Sequence, residues 1–122
     1  MKTLLIAILA LVPHFASAKH LSILEDGDYG PLDPGLCGYR ITKNLESLFI
    51  HGEVIDNPAY RNIPCSDRGK ATIFQCSDIN GKACYGDSVN CNMTVIDSDT
   101  ITDICYRRNG SVMSSHTYKR YR

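Results

Sequence analysis

Few residues of this chain are spaced as catalytic groups are. His51 and Glu53 lie two positions apart, so a β-strand would present both side chains on one face. Beside an arginine such as Arg40 or Arg61, a histidine and a carboxylate could cleave RNA by acid–base catalysis. His-x-Glu is also common among surface residues, and the serines of segments 86–90 and 109–113 lack the Gly-x-Ser-x-Gly spacing of a nucleophile. We therefore predict that the protein is not an enzyme and uses no cofactor.

The cysteines indicate disulfide bonds rather than a metal or redox site. There are 6 of them, and no two have the Cys-x-x-Cys spacing of zinc and redox sites. They are Cys37, Cys65, Cys76, Cys84, Cys91 and Cys105. We predict three disulfide bonds among them, in a pairing that the sequence leaves open. In so small a domain each native bond is worth about 2–5 kcal/mol, against a net stability of about 5–15 kcal/mol.

The first residues have the pattern of a secretory signal peptide. Lys2 precedes an apolar run at 3–12, and the small residues 16–18 mark a cleavage site before Lys19. We therefore predict that residues 1–18 are removed and that the protein is secreted to the extracellular space, where disulfides persist. No later segment is apolar enough to predict a membrane span.

The rest of the chain is predicted to hold a single domain. Residues 19–35 are acidic and rich in Gly and Pro, and we predict an acidic extended arm there. Residues 36–122 are predicted to form one disulfide-rich domain with a basic C-terminal tail. With 13 basic and 13 acidic residues, the chain lacks the excess positive charge of a general nucleic-acid binder. We expect a monomer without a nucleic-acid partner.

Several short segments have the alternation and the β-branched residues of strands. They are residues 36–43, 70–76, 92–97 and 101–108. The Asn80–Gly81 pair predicts a tight hairpin turn. With turn signals about every ten residues, the pattern predicts an all-β sandwich. Residues 44–55 are ambiguous, because Leu45 and Leu48 also fit a helical turn. The alternative fold is therefore an α/β sandwich with one or two short helices.

One segment, residues 71–106, resembles a βγ-crystallin-type domain. Phe74, followed by Ile79 and Gly81, resembles the aromatic, apolar and glycine signature of that family's folded hairpin. Residues 98–104 resemble the polar segment that leads into the last strand of its motif. The resemblance implies a small, disulfide-stapled Greek-key sandwich.

In that family the polar segment can bind calcium. Asp99 and Thr102 match its pattern here, whereas Ser98 and Asp103 depart from it. We therefore expect no metal site and interpret the aspartates of this segment as turn-forming and solubilising residues.

The whole chain resembles the small secreted cysteine-rich effectors of plant-associated fungi. This resemblance implies a non-enzymatic, effector-type protein that binds a host protein, a cell-surface protein or a cell-wall glycan. Disulfide-rich members of the βγ-crystallin architecture include antimicrobial proteins and killer toxins, so a secreted toxin is the alternative. A small ribonuclease-like hydrolase is the third hypothesis, carried by His51 and Glu53.

Two further sets of residues are candidates for roles on the surface. Asn92 and Asn109 each begin an N-glycosylation sequon, which predicts a glycoprotein. Aromatic and basic residues interleave near the C-terminus, and Tyr and Arg are favoured anchors of binding interfaces. The candidate binding residues are Tyr106, Arg107, Arg108, Tyr118 and Arg120.

Overall fold

The structure, a computed structural model, describes residues 21–79, 83–86 and 90–122. It contains eight strands after a short 3-10 turn at Leu21–Ile23. The strands are β1 (Gly27–Gly30), β2 (Gly38–Asn44), β3 (Phe49–Ile55), β4 (Ala71–Cys76), β5 (Ala83–Gly86), β6 (Cys91–Asp97), β7 (Thr100–Tyr106) and β8 (Val112–Tyr121). The predicted signal peptide at 1–18 and the predicted Asn80–Gly81 turn lie outside the described residues.

The eight strands form one closed barrel in which each strand is antiparallel to the next and β8 returns to β1. The all-β prediction is confirmed. The strands described here make no Greek-key connection, and they close into a single barrel instead of two packed sheets. Closure pairs both edges of the sheet, which removes the free edges that a sandwich leaves.

The alternative α/β fold is wrong for the part of the chain that the structure describes, which contains no α-helix. Residues 45–48, where a helix was the alternative, form the turn between β2 and β3. Leu48 has a positive φ of 58° there, which a helix does not allow. The segment that resembles a βγ-crystallin motif, residues 71–106, supplies the consecutive strands β4 to β7.

An acidic extended arm was predicted at residues 19–35, and the described part of it, residues 21–35, belongs to the barrel instead. Its strand β1 pairs with β2 on one side and with β8 on the other. The side chains of Leu21, Leu24 and Tyr29 are fully buried in the core. The prediction failed because β1 has only four residues and two of them are glycine, so its alternation is too short to read.

The predicted basic C-terminal tail is likewise a strand of the barrel. Strand β8 pairs with β7 from Val112 to Lys119 and with β1 from Lys119 to Tyr121. Its inward positions include the polar residues Ser114 and His116, so β8 lacks the apolar alternation by which a half-buried strand is recognised. Lys119 and Arg120 are therefore fixed in the barrel wall, whereas Arg107 and Arg108 lie in the turn before β8.

The interior is filled by alternate residues of the strands. The apolar core residues from the strands are Tyr29, Ile41, Ile50, Phe74, Cys76, Cys84, Met93, Val95, Ile101 and Tyr118. Tyr39 packs against this cluster, and the absence of a side chain at Gly52 makes room for it. A Cβ at Gly52 would lie 3.3 Å from the Tyr39 ring and 3.5 Å from the Phe74 ring.

One end of the barrel, which we call the cap end, is closed by residues 21–24, which we call the cap. Lys43 holds the cap by donating hydrogen bonds from its Nζ to the carbonyl oxygens of Ser22 and Leu24. The amide of Glu25 donates to the carbonyl of Ser98 at 2.9 Å, which ties the cap to the turn between β6 and β7.

The other end, which we call the strap end, carries the segments 31–37, 56–70 and 107–111. We call residues 56–70 the strap. Asn57 is buried, and its side-chain amide donates to the carbonyls of Pro31 at 2.9 Å and Asp33 at 3.3 Å. The strap is therefore fixed to the segment that follows β1.

The three predicted disulfide bonds are confirmed. Cys76–Cys84 joins β4 to β5, and Cys91–Cys105 joins β6 to β7. Cys37–Cys65 has the largest sequence separation, 28, and links the start of β2 to the strap. Two bonds therefore brace the barrel wall, and the third holds the strap end together.

Candidate functional site

Asp103, at the middle of β7, is a carboxylate that is buried in the barrel interior. It lies on the inward face of β7 and is 4% exposed. The hydroxyl of Tyr39 on β2 donates to its Oδ2 at 3.2 Å, and the hydroxyl of Tyr118 on β8 donates to the same oxygen at 3.3 Å. Three strands therefore meet at one carboxylate oxygen, and β2 is not a neighbour of either β7 or β8. We call Tyr39, Asp103 and Tyr118 the interior network.

The second carboxylate oxygen of Asp103 is left without a hydrogen bond. Its Oδ1 is buried and accepts none from the described residues. The Nδ1 of His116, which faces it across the β7–β8 pair, lies 3.8 Å away and is too distant for one. A buried acceptor without a partner costs about 1–3 kcal/mol, so this oxygen is a place where a donor or a positive charge would be stabilised.

The pKa values of all three side chains in the interior network are raised above their ordinary values. Burial raises the pKa of Asp103, and the Tyr39 hydroxyl, His116 and the Tyr118 hydroxyl only partly oppose that effect. Burial and the neighbouring Asp103 also raise the pKa of Tyr39 and of Tyr118 well above the usual range of a phenol. Both hydroxyls therefore remain protonated and act as donors to Asp103.

The two tyrosine rings of the network are held by each other and by the core. Their centroids are 5.1 Å apart with an interplanar angle of 53°. Tyr39 also makes an edge contact with Phe74 at 6.4 Å. Because these rings are already fixed, a ligand that packs against them would not lose free energy by ordering them. We call the rings of Tyr39 and Tyr118 the floor.

A cleft of about 400 Å³, which we call the strap cleft, lies above this floor. Its walls are residues 34–38 and residues 63–67 of the strap, and Tyr39, Val54 and Tyr118 complete its lining. The Cys37–Cys65 disulfide belongs to both walls and fixes their separation. A volume of this size lies in the range of small-molecule sites, about 300–1,000 Å³.

A second cleft, of about 650 Å³, lies on the outer surface beside β1 to β3. Its guanidinium groups are largely compensated by carboxylates: Arg40 binds Asp28 at 2.9 Å, and Arg68 binds Asp56 at 3.0 Å. The arginines of these pairs are more than half exposed, so each pair contributes little stability. We consider the strap cleft the better candidate although it is smaller, because its floor is buried and fixed.

The predicted ribonuclease residues are only partly brought together. Glu53, Arg40 and Arg61 all line the outer cleft, whereas His51 is not among its described lining residues. Glu53 faces Arg40 across the β2–β3 pair, and His51 faces Thr42 two residues farther along. The prediction that His51 and Glu53 share one face of a strand agrees with the alternating burial of β3.

The predicted binding residues near the C-terminus do not form one surface. Tyr106, Arg107 and Arg108 are at the strap end, where β7 finishes. Arg120 is near the cap end, and its Nε binds Asp99 at 2.7 Å. Tyr118 is 5% exposed and belongs to the interior network. A ten-residue strand spans about 33 Å, so β8 separates these groups instead of clustering them.

The two predicted glycosylation sites differ in their surroundings. Asn92 is half-buried in β6, between Tyr85 of β5 and Ile104 of β7. Asn109 is exposed in the turn between β7 and β8, where its side-chain oxygen accepts hydrogen bonds from the amide and the hydroxyl of Ser111. Glycosylation at either position stays a prediction.

The sequence interpretation missed Tyr39 and Asp103 as site residues and assigned Asp103 to a solubilising role. The structure contradicts that role, because the side chain points into the barrel. The period-two alternation of a β-strand could have revealed the burial of Asp103. Ile101, Asp103 and Cys105 occupy every second position of β7, so Asp103 lies on the same face as a buried isoleucine and a disulfide. Tyr39 follows the same rule with Ile41 on β2.

Two features are absent from the described ranges 21–79, 83–86 and 90–122. No helix in these ranges has the length and the apolar character needed to cross a membrane. No group of three or more His, Cys, Asp or Glu residues in them is arranged to hold a metal ion. Comparison of the chain with protein-family models, with curated proteins and with solved structures gave no match.

Proposed function

We propose that this chain is an exported, non-enzymatic binding protein that holds a small ligand, or one small group of a larger partner, in the strap cleft. One observation carries the proposal. The interior network joins β2, β7 and β8 at a single buried carboxylate directly beneath the cleft. A polar network placed under a cleft in an otherwise apolar barrel is costly unless it contributes to recognition.

The network suits binding better than proton transfer. Both tyrosine protons are already committed to Oδ2 of Asp103, and both phenol pKa values are raised, so neither hydroxyl is activated as a base. The fixed rings and the disulfide between the walls make the cleft rigid. Rigidity of this kind lowers the entropic cost of binding.

Export and the effector-type role belong to the same proposal. The signal-peptide pattern at 1–18 supports export, and three disulfide bonds fit an oxidising compartment. A host protein, a cell-surface protein or a cell-wall glycan would present one side chain or one sugar unit to the strap cleft. The loops of the strap end would surround that group.

A pair of matched tryptophan variants tests where binding occurs. Ser66 lines the strap cleft and is exposed, so Ser66→Trp fills the cleft without disturbing the core. Ser47→Trp adds the same side chain to an exposed turn at the cap end and is the control. A panel of small molecules and cell-wall sugars is screened by calorimetry against the oxidised protein. Binding that survives Ser66→Trp but not Ser47→Trp would contradict the proposed site.

The hydrolase hypothesis keeps one supporting observation, which is that Glu53, Arg40 and Arg61 line the same outer cleft. A carboxylate beside two guanidinium groups could act on a phosphodiester. RNA cleavage is measured for the wild type and for Glu53→Gln. Cleavage that is lost in Glu53→Gln but kept in Ser66→Trp would favour the hydrolase over the binding protein.

A further inference from the structure

We propose that the strap cleft selects a compact amine whose protonated nitrogen lies against Tyr39 and Tyr118 and whose apolar body fills the space between the walls. This inference rests on the binding function proposed above and adds the chemical class of the ligand.

The walls of the strap cleft have few hydrogen-bond donors to offer. Pro34 and Pro64 have no amide hydrogen. Four other lining amides are already used within the fold: Gly35 donates to Asp33 Oδ1 at 2.8 Å, Leu36 to Asp33 O at 3.1 Å, Ile63 to Tyr60 O at 3.0 Å and Cys65 to Asp56 Oδ1 at 2.8 Å. A ligand carboxylate or phosphate needs several free donors, and these six lining residues supply none from their backbone.

The floor of the strap cleft offers acceptors instead. Each tyrosine hydroxyl has one proton, and both protons are donated to Asp103. Only lone pairs remain on the Tyr39 and Tyr118 oxygens for a ligand. The ring faces carry the negative part of the aromatic quadrupole, and an ammonium within about 6 Å of a ring centroid gains about 0.5–2 kcal/mol. The floor therefore complements a positively charged donor.

The buried carboxylate of Asp103, beneath the floor, also favours a positively charged ligand. Asp103 is 4% exposed, and its Oδ1 accepts no hydrogen bond from the part of the chain described. A positive charge in the strap cleft would stabilise the ionised form of this carboxylate through a poorly screened path. Without such a charge, the desolvation of Asp103 is only partly compensated.

The other residues that line the strap cleft determine the polarity and the size of the rest of the ligand. Leu36, Val54, Ile63 and the Cys37–Cys65 disulfide give the walls apolar surface. A volume of about 400 Å³ limits the body to a single ring or a short aliphatic chain. A primary amine on a small apolar body therefore fits both the charge and the shape of the cleft.

Three matched probes test the ligand class on the oxidised wild-type protein. 2-Phenylethylamine, 2-phenylethanol and 3-phenylpropanoate share a ring and differ in the charge of the head group. Calorimetry near neutral pH is expected to show the amine binding at least about tenfold more tightly than the alcohol, which corresponds to about 1.4 kcal/mol. The propanoate is expected not to bind.

Two variants assign the effect to the interior network. Asp103→Asn removes the buried charge with little change of shape and is expected to weaken amine binding by about tenfold. Asp28→Asn makes the same change of net charge outside the barrel and is the control. Tyr118→Phe, which removes one hydroxyl from the floor, is expected to weaken the amine by several-fold and provides a second test if Asp103→Asn does not fold.

The outcomes separate the two proposals. If the alcohol or the propanoate binds as tightly as the amine, the ligand class is wrong and the binding function stands. If none of the three binds, the ligand class is wrong, and the binding function is then decided by the panel of small molecules and cell-wall sugars with Ser66→Trp and Ser47→Trp. Unchanged amine affinity in a folded Asp103→Asn protein, or in Tyr118→Phe, would overturn the assignment of the interior network to amine recognition.

Discussion

The hydroxyl of Tyr39 on β2 donates a 3.2 Å hydrogen bond to Oδ2 of Asp103 on β7, across the interior of the barrel. Strands β2 and β7 are not neighbours in the sheet, so this bond adds a cross-connection that the ladder does not supply. It is made in a low-dielectric interior, where a hydrogen bond to a carboxylate is stronger than in water. The same surroundings make the carboxylate costly to ionise.

The free-energy cost of ionising the buried Asp103 predicts how the stability of the protein depends on pH. Burial raises the pKa of Asp103 above its ordinary value of 3.8. As the pH rises from that value through the raised pKa, the unfolded chain loses the proton first, so the wild type loses stability. Asp103→Asn has no such group. We expect its free energy of unfolding, relative to wild type, to increase over this window by about 1.4 kcal/mol for each unit by which the pKa is raised.

Urea unfolding at a series of pH values measures this difference. The double difference between the two proteins removes the contribution of distant titratable groups that are common to both. A wild type that keeps a constant stability relative to Asp103→Asn across the whole window would show that the carboxylate is not destabilised by burial.

Amine binding should depend on pH in the opposite direction. Ionised Asp103 attracts the ammonium and protonated Asp103 does not, so affinity rises as the pH increases through the raised pKa of Asp103. An aliphatic amine stays protonated over this range, because its own pKa is about 10. Calorimetric titrations with 2-phenylethylamine measure the slope, which Asp103→Asn should flatten. A slope that is equal in both proteins would assign the effect to another group.

Gly38 is predicted to be intolerant of any side chain. A Cβ at this position would lie 2.5 Å from the carbonyl oxygen of Tyr29 and 2.7 Å from Cδ of Pro58. Gly38→Ala should therefore reduce the free energy of unfolding by about 1–3 kcal/mol, because the backbone of β1 or the strap must move. Ser115→Ala on the exposed face of β8 is the control and should change it by less than about 0.5 kcal/mol. Equal stabilities for the two variants would mean that the contact is not tight.

Asn57 is predicted to anchor the strap. Asn57→Ala removes the hydrogen bonds to the carbonyls of Pro31 and Asp33, and it leaves the amide of Ala59 without its acceptor. We expect a loss of about 1–3 kcal/mol and faster proteolysis within residues 56–70. Asn62, which is exposed in the same segment, gives the control Asn62→Ala. Similar cleavage rates in both variants would argue against the anchor.

The Cys37–Cys65 disulfide is predicted to matter more for the strap cleft than for the barrel. In the double variant Cys37→Ala/Cys65→Ala the walls are no longer joined, so ligand binding should be lost while the β-sheet signal in circular dichroism is kept. Cys91→Ala/Cys105→Ala removes a bond of the barrel wall and should keep binding in the fraction that folds. Each pair should cost about 3 kcal/mol of stability. Loss of binding in the second variant alone would reverse the assignment.

The strands that carry clear alternation could be predicted from sequence alone. Residues 70–76 and 92–97 were predicted, and β4 and β6 agree with them within one residue at each end. The closure of the barrel could not be predicted, because the pairing of β1 with β8 joins segments at opposite ends of the domain and leaves no local pattern. The four residues of β1 are recognisable as a strand only when both neighbours are in place.

The candidate site was only partly visible for a related reason. Period-two alternation alone places Asp103 on the same inward face of β7 as Ile101, so its burial could have been predicted from the sequence. Its partners Tyr39 and Tyr118 come from β2 and β8, and only the closed topology brings those strands to one carboxylate. Tyr106 pairs with Val112 at the start of β8, whereas Tyr118 and Arg120 lie toward its other end, so their closeness in the sequence does not place them on one surface.

The joining of β1 to β8 also has a consequence for biosynthesis. The first strand cannot find its second partner until β8 has left the ribosome, so the ring is completed only after the other seven strands have been synthesised. Until then β1 and β7 expose unpaired backbone edges that invite association between chains. A nascent chain that stalls before β8 is therefore expected to depend on chaperones. Removal of β8 from the finished protein would likewise leave an open sheet whose exposed edges promote aggregation.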